Sequence, residues 1–113
     1  MKIVPKPWGK ESILINTELY CGKIITCKEN KWSSNGRWHY HISKDETFYI
    51  LDGFLELDIK RRGTHEIETR ILRKGETVRL YPQDRHRFKS ENCRFLEIST
   101  MDCETDNYRE ELA

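Results

Sequence analysis

The sequence predicts an all-β domain, a jelly-roll barrel with a short irregular or helical C-terminal tail. Three observations carry this reading. Short runs rich in β-branched and aromatic residues recur along all 113 residues. Turn dipeptides separate several of them, at Asn35-Gly36, Asp52-Gly53, Arg62-Gly63 and Lys74-Gly75. Helical periodicity is almost absent, which leaves an antiparallel sandwich or barrel.

In chain order, the expected strands are residues 12–16, 22–28, 37–43, 46–53, 54–60, 65–72, 76–81 and 93–99. Leu55, Leu57 and Ile59 alternate with Phe54, Glu56 and Asp58, as in a strand with one wet face. Residues 46–60 read as a hairpin turning at Asp52-Gly53, and residues 64–80 as a second one turning at Lys74-Gly75. Consecutive hairpins folded over one another make a jelly roll. The ending "DNYREELA" looks mildly helical. The length suits one domain, 1–113, with its core at about 20–100.

Composition excludes some partners. Twenty basic and 19 acidic residues leave a net charge of +1, too little for a broad nucleic-acid or anionic-membrane surface. No apolar run is long enough to span a membrane, and the N-terminus does not read as a secretion signal, so a cytoplasmic location is expected. Cys21, Cys27, Cys93 and Cys103 form no CxxC pair and read as reduced thiols. Cys21 and Cys27 share one strand, whose span of roughly 20 Å is beyond disulfide reach.

The chemistry concentrates in "HYHISKDETFYILDG", residues 39–53. On a strand, His39 and His41 share a face with Cα atoms about 7 Å apart. That suits two imidazoles converging on one metal ion. Glu46 follows a turn-like break and can point inward beside them, with Phe48 and Ile50 behind it. A further donor must come from His65 or His86. His65 sits in or beside a polar turn, whereas His86 follows a proline-bearing loop that feeds a new strand. His86 is therefore favoured.

These residues resemble the cupin family. His39, His41, Glu46 and Gly53 match the first cupin motif, G-x5-HxH-x4-E-x6-G, with Ser33 at its leading glycine. Gly75 and His86 match the second, G-x5-P-x-G-x2-H-x3-N, with Tyr81, Gln83 and Ser90 at its proline, glycine and asparagine. The resemblance spans about residues 20–100. It implies a β-barrel holding one divalent metal ion, Zn, Fe, Mn or Ni, through His39, His41, Glu46 and His86. "KPWGKE" (6–11), "LEIST" (96–100) and "DNYRE" (106–110) look like mannose-6-phosphate isomerase-type and other sugar-handling cupins. Pro7-Trp8-Gly9 reads equally as a turn whose aromatic packs on the barrel end.

The resemblance implies a small-molecule substrate, a sugar or sugar phosphate, and favours a metal-dependent sugar isomerase. The alternatives are a non-enzymatic sugar- or effector-binding cupin and an iron-dependent dioxygenase. Glu97 is the candidate catalytic base if it points inward rather than leaving that face to Leu96 and Ile98. Phe48, Tyr81 and Phe88 are candidate walls for a sugar ring. Arg37 shares the parity of His39 and is the candidate anion contact. Arg85, Arg87 and Lys89 have the opposite parity to His86 and are expected to face outward. A homodimer is expected, with residues 13–15 or 23–26 pairing across a twofold axis.

Overall fold

Ten strands, counted among the described residues 1–110 of this computed structural model, form two antiparallel sheets that share one long strand. They are β1 (Lys2–Lys6), β2 (Gly9–Asn16), β3 (Cys21–Cys27), β4 (Trp38–Tyr40) and β5 (Glu46–Lys60). Then come β6 (Glu68–Arg73), β7 (Thr77–Leu80), β8 (Arg85–Lys89), β9 (Cys93–Ser99) and β10 (Tyr108–Glu110). The first sheet runs β1-β2-β3-β9-β5-β7. The second runs β10-β4-β8-β5-β6. The curled sheets make the all-β jelly roll, and no α-helix occurs among the described residues.

The expected hairpin at Asp52-Gly53 does not form. β5 runs straight through, and its first half pairs with β7 and β9, its second half with β6 and β8. The register shift between Ile50 and Asp52 is a bulge, which bends the strand from one sheet into the other. Gly53 has φ 75, and a Cβ there would lie 1.9 Å from the Asn92 carbonyl oxygen. The glycine thus serves a crossing of chains rather than a reversal. The Lys74-Gly75 turn does reverse the chain, with Gly75 at φ 87, but β6 and β7 do not pair with each other. Each adds to a different half of β5.

Two other expectations change. The 106–110 segment is not helical: a 3-10 turn (Glu104–Asp106) leads into β10, which pairs with β4. Residues 111–113 of the same stretch lie outside the described residues. Residues 23–26 are bonded on both sides, to β2 and β9, and so offer no free strand edge for pairing across a twofold axis, whereas Ile15 is paired on the β3 side alone. The four cysteines are all unpaired.

The inward rows of β3, β9 and β5 grade the barrel from apolar to charged. Cys27 faces Cys93, then Ile25 faces Phe95, then Lys23 faces Glu97. On β5, Ile50, Phe48 and Glu46 lie beside Phe95, Glu97 and Ser99 and grade in the same direction. The apolar end is filled by aromatics. Phe95 packs against Phe48 at 4.5 Å and Phe88 at 5.3 Å, and Trp8 meets Phe88 edge-on at 5.1 Å. The turn at Pro7-Trp8 therefore does place an aromatic in the core. The charged end is where the histidines gather.

Candidate functional site

His39 on β4 lies opposite His86 on β8, with ring centroids 5.3 Å apart, and 4.6 Å from the ring of His41 just beyond the strand. Glu46 opens β5, and its Oε2 stands 3.4 Å from His41 Nε2. These four side chains line one cavity of about 370 Å³, with Phe48 and Phe88 on its apolar side and Glu97 on its charged side. His41, Glu46 and His86 are each only 3% exposed.

The C-terminal arm sets the imidazole protons. His41 Nδ1 lies 2.7 Å from the Asp106 carbonyl oxygen, which can only accept, so Nδ1 carries the proton. The neutral ring then presents the Nε2 lone pair to Glu46. Asn107 Nδ2 donates to the Cys103 carbonyl at 3.0 Å, which turns Asn107 Oδ1 toward His39 Nε2, also at 3.0 Å. His39 Nε2 is therefore the protonated nitrogen. His86 Nδ1 is buried with no hydrogen-bond partner among the described residues.

Burial dominates the titration of the group. It pushes the His39 pKa down to about 3, with His41 adding to the effect. Burial and then Lys44 lower His41, and burial and then His39 take His86 well below its ordinary value. Burial raises Glu46 well above the carboxylate range, Glu97 adds to this, and Lys44 opposes it.

A chain of ion pairs closes the charged end. Lys44 Nζ donates to Glu97 Oε2 at 2.8 Å and to Asp102 Oδ1 at 3.1 Å. Lys23 Nζ reaches Asp102 at 2.8 Å, Glu11 at 3.4 Å and Glu97 Oε2 at 3.9 Å. Burial alone would raise Asp102, but hydrogen bonds from Lys23 and Lys44 hold its carboxyl down at about 2. Burial opposes the Lys44 ammonium, yet Glu97 and Glu46 outweigh it and raise its pKa.

Glu97 points inward, opposite Phe48, while Ile98 on the alternate face is 52% exposed. Arg37 lies outside the cavity, in the adjoining groove, where its Nε donates to the Ser34 carbonyl at 3.3 Å. Tyr81 is not a cavity wall. It is 51% exposed, with the Arg79 guanidinium 4.4 Å from its ring centre. Arg87 and Lys89 lie on the outer side, against Trp32. His65 is exposed near the 61–64 turn, away from the other histidines.

The departures from the cupin motifs keep structural roles. Gln83 adopts φ 74, the left-handed conformation a glycine would take without strain, and its N–H donates to the His41 carbonyl at 2.7 Å. Ser33 Oγ accepts the Phe88 N–H at 3.0 Å, and Ser90 Oγ accepts the Asn92 N–H at 3.0 Å. Sequence reasoning missed Lys23, Lys44, Asp102, Asp106 and Asn107. For Lys23 a signal existed, since it shares inward parity with Ile25 and Cys27. Nothing local marked the others.

As they stand, no three His, Cys, Asp or Glu side chains among the described residues are grouped to hold a metal ion. The donor chemistry of His41, Glu46 and His86 nevertheless suits one. His41 Nε2 faces Glu46 Oε2 at 3.4 Å, a contact made attractive by the proton that buried Glu46 retains or by a cation in its place. The imidazoles are kept neutral, as ligation requires. His39 differs, because Asn107 occupies its Nε2.

No protein-family model matches the chain, and no curated protein matches it in sequence. Solved structures do. The capsular polysaccharide assembling protein CapF from Staphylococcus aureus superposes with a TM-score of 0.81 at 17% identity over 98% of the chain. The chain spans only 34% of CapF. KdgF from Halomonas sp. gives a TM-score of 0.73 at 14% identity, with 93% of this chain and 90% of that one covered. Oxalate decarboxylase from Bacillus subtilis gives 0.81 at 13% identity, over 96% of this chain and 29% of its own. At these identities the likeness establishes the fold alone, an all-β jelly-roll barrel of the kind the cupin resemblance implies.

Proposed function

We propose that the chain is a metal-binding cupin acting on a small sugar or sugar phosphate, as an isomerase-type enzyme. The observation that carries this reading is the convergence of His41, Glu46 and His86, each buried, on one cavity, with His41 Nε2 3.4 Å from Glu46 Oε2. His41, Glu46 and His86 would hold the ion, and His39 would complete the set once Asn107 releases its Nε2. A bound divalent ion would supply Lewis-acid polarisation of the hydroxyl and carbonyl oxygens of a sugar.

The chain's own residues divide the remaining work. Phe48 and Phe88 offer an apolar wall to the face of a ring. Both ammonium contacts to Glu97 fall on Oε2, which leaves Oε1 as the oxygen to take a proton from a bound ligand. Lys44 holds that carboxylate in place. The polar cavity, and the likeness to CapF, a capsular polysaccharide assembling protein, support a carbohydrate ligand. A homodimer belongs to this reading, through the outer face of the first sheet. There Ile15 and Ile98 both align with Gly22, and Ile15, Tyr49 and Ile98 are all exposed. A one-chain mass by light scattering would exclude it.

The second reading is a metal-free ligand-binding cupin. It draws on the Asn107 cap, which ties up one of the expected ligands. Elemental analysis after reconstitution with Mn, Fe, Zn or Ni decides between them. One ion per chain, lost in His41→Ala, supports the metal centre, and aldose–ketose exchange followed by NMR then tests catalysis. A protein that takes up no metal overturns the first reading.

A further inference from the structure

Beside the histidine cavity lies a second hollow of about 280 Å³, walled by Trp8 and Trp32 and edged by the Ser33–Gly36 turn. The two adjoin along His39, Phe88 and Arg109, which line both. The charge of the second hollow is lopsided. Lys6, Lys31, Arg37 and Arg109 line it, and among the described residues Glu11 is its one carboxylate. Glu11 is already engaged by Lys6 at 3.5 Å and Lys23 at 3.4 Å.

Two guanidiniums meet at one residue here. Arg37 Nε donates to the Ser34 carbonyl at 3.3 Å, and Arg109 Nε donates to Ser34 Oγ at 3.1 Å. Ser34 and Asn35 also sit at φ 53 and 56, a conformation non-glycine residues rarely adopt. An oxyanion would find donors here, because the Arg109 fork has further N–H groups beyond Nε. Lys31 stands exposed at the rim. Arg87 and Lys89 stack on Trp32 at 4.6 and 4.5 Å and hold that wall in place.

We propose that this groove is an oxyanion subsite. It takes the phosphate or carboxylate group of a small ligand whose hydroxyl-bearing end passes His39 into the histidine cavity. The inference rests on the sugar-type reading above for that second end only.

The test is an NMR titration of the full chain with inorganic phosphate, glucose 6-phosphate, glucuronate and glucose, read at the Trp32 indole N–H and the Arg109 Nε–H. Saturable shifts are expected with the charged probes, with glucose at least about tenfold weaker than the better charged sugar. The tighter of glucose 6-phosphate and glucuronate identifies the source of the oxyanion. Arg109→Gln is expected to weaken that probe about tenfold. Lys31→Gln, at an exposed position that cannot disturb the fold, weakens it in the same direction and leaves glucose unchanged. The proposal is overturned by any of three results: no saturable shift with any charged probe, equal affinity for glucose and its 6-phosphate, or both variants without effect. Metal content is measured on the same samples. Oxyanion binding by a protein that takes up no metal removes the metal centre and keeps the subsite, and the reverse pattern removes the subsite alone.

Discussion

Asn107 Oδ1 accepts the His39 Nε2–H at 3.0 Å, across 68 residues of sequence. The bond ties the C-terminal arm to the histidine cavity. It also places a proton on the nitrogen that would otherwise be free to bind a metal. Asn107→Ala removes the cap. Divalent-ion affinity is then expected to rise about tenfold, with the variant destabilised by about 1 kcal/mol for the lost hydrogen bond. Competition with a chelating dye measures the affinity, and long-range 1H–15N spectra of the imidazoles report the tautomer. An unchanged affinity and an unchanged His39 tautomer would show that the cap does not control this ligand.

Gln83 has φ 74 in the loop that reaches the His41 carbonyl. A non-glycine residue there carries left-handed strain of about 1 kcal/mol. Gln83→Gly is expected to stabilise the fold by up to about 1 kcal/mol, less whatever glycine returns to the entropy of the unfolded chain. Gln83→Val should destabilise it, because a β-branched residue tolerates this conformation worst. Urea midpoints of the two variants test the opposite signs.

Lys44 is 3% exposed and is hydrogen-bonded to both Glu97 and Asp102. Lys44→Met deletes the cation and leaves carboxylates buried without it. The expected cost is about 3 kcal/mol. The double variant Lys44→Met/Glu97→Leu should recover a large part of that loss, since it removes the stranded charge as well. Denaturant unfolding of the three proteins measures the coupling, and full additivity would mean that the pair does not interact.

Stability should fall with acid. His39, His41 and His86 have folded pKa values below the ordinary 6.5, so the unfolded chain binds protons first as the pH drops. Their contribution is fully present above pH 6.5 and is lost as pH falls toward about 3, where His39 itself titrates. The slope approaches about 1.4 kcal/mol per pH unit for His39 over that range, and His41 and His86 add to it in the same direction. Asp102 adds a loss of the same sign between pH 3.8 and about 2. Glu46 works the other way, because its raised pKa makes the fold bind the proton more tightly above pH 4.5. Thermal melts from pH 7.5 to 4 should show a falling midpoint, and a rising one would contradict the neutral imidazoles.

Local pattern revealed much of the barrel. Alternation along residues 55–59 marked the apolar row of β5, and the dipeptides marked most of the bends. The error at Asp52-Gly53 has a physical cause. A glycine at positive φ serves a hairpin turn and a bulged crossing equally well, and only the partner strands distinguish them. The edge strands β1 and β10 were not legible as strands, because edge pairing needs little apolar pattern of its own.

By itself the sequence determined the all-β class, the cupin spacing and the likeness of His39, His41, Glu46 and His86 to a ligand set. Those follow from period, turn chemistry and intervals counted along one chain. Tertiary structure alone decided the rest. It turned Glu97 inward and Tyr81 outward, joined Lys23 and Lys44 to Asp102, and laid Asp106 and Asn107 on the imidazoles. The reason is that such contacts join residues tens of positions apart, and burial makes those contacts strong. A strand's own residues state which way its side chains alternate, but not what the fold will bring against them.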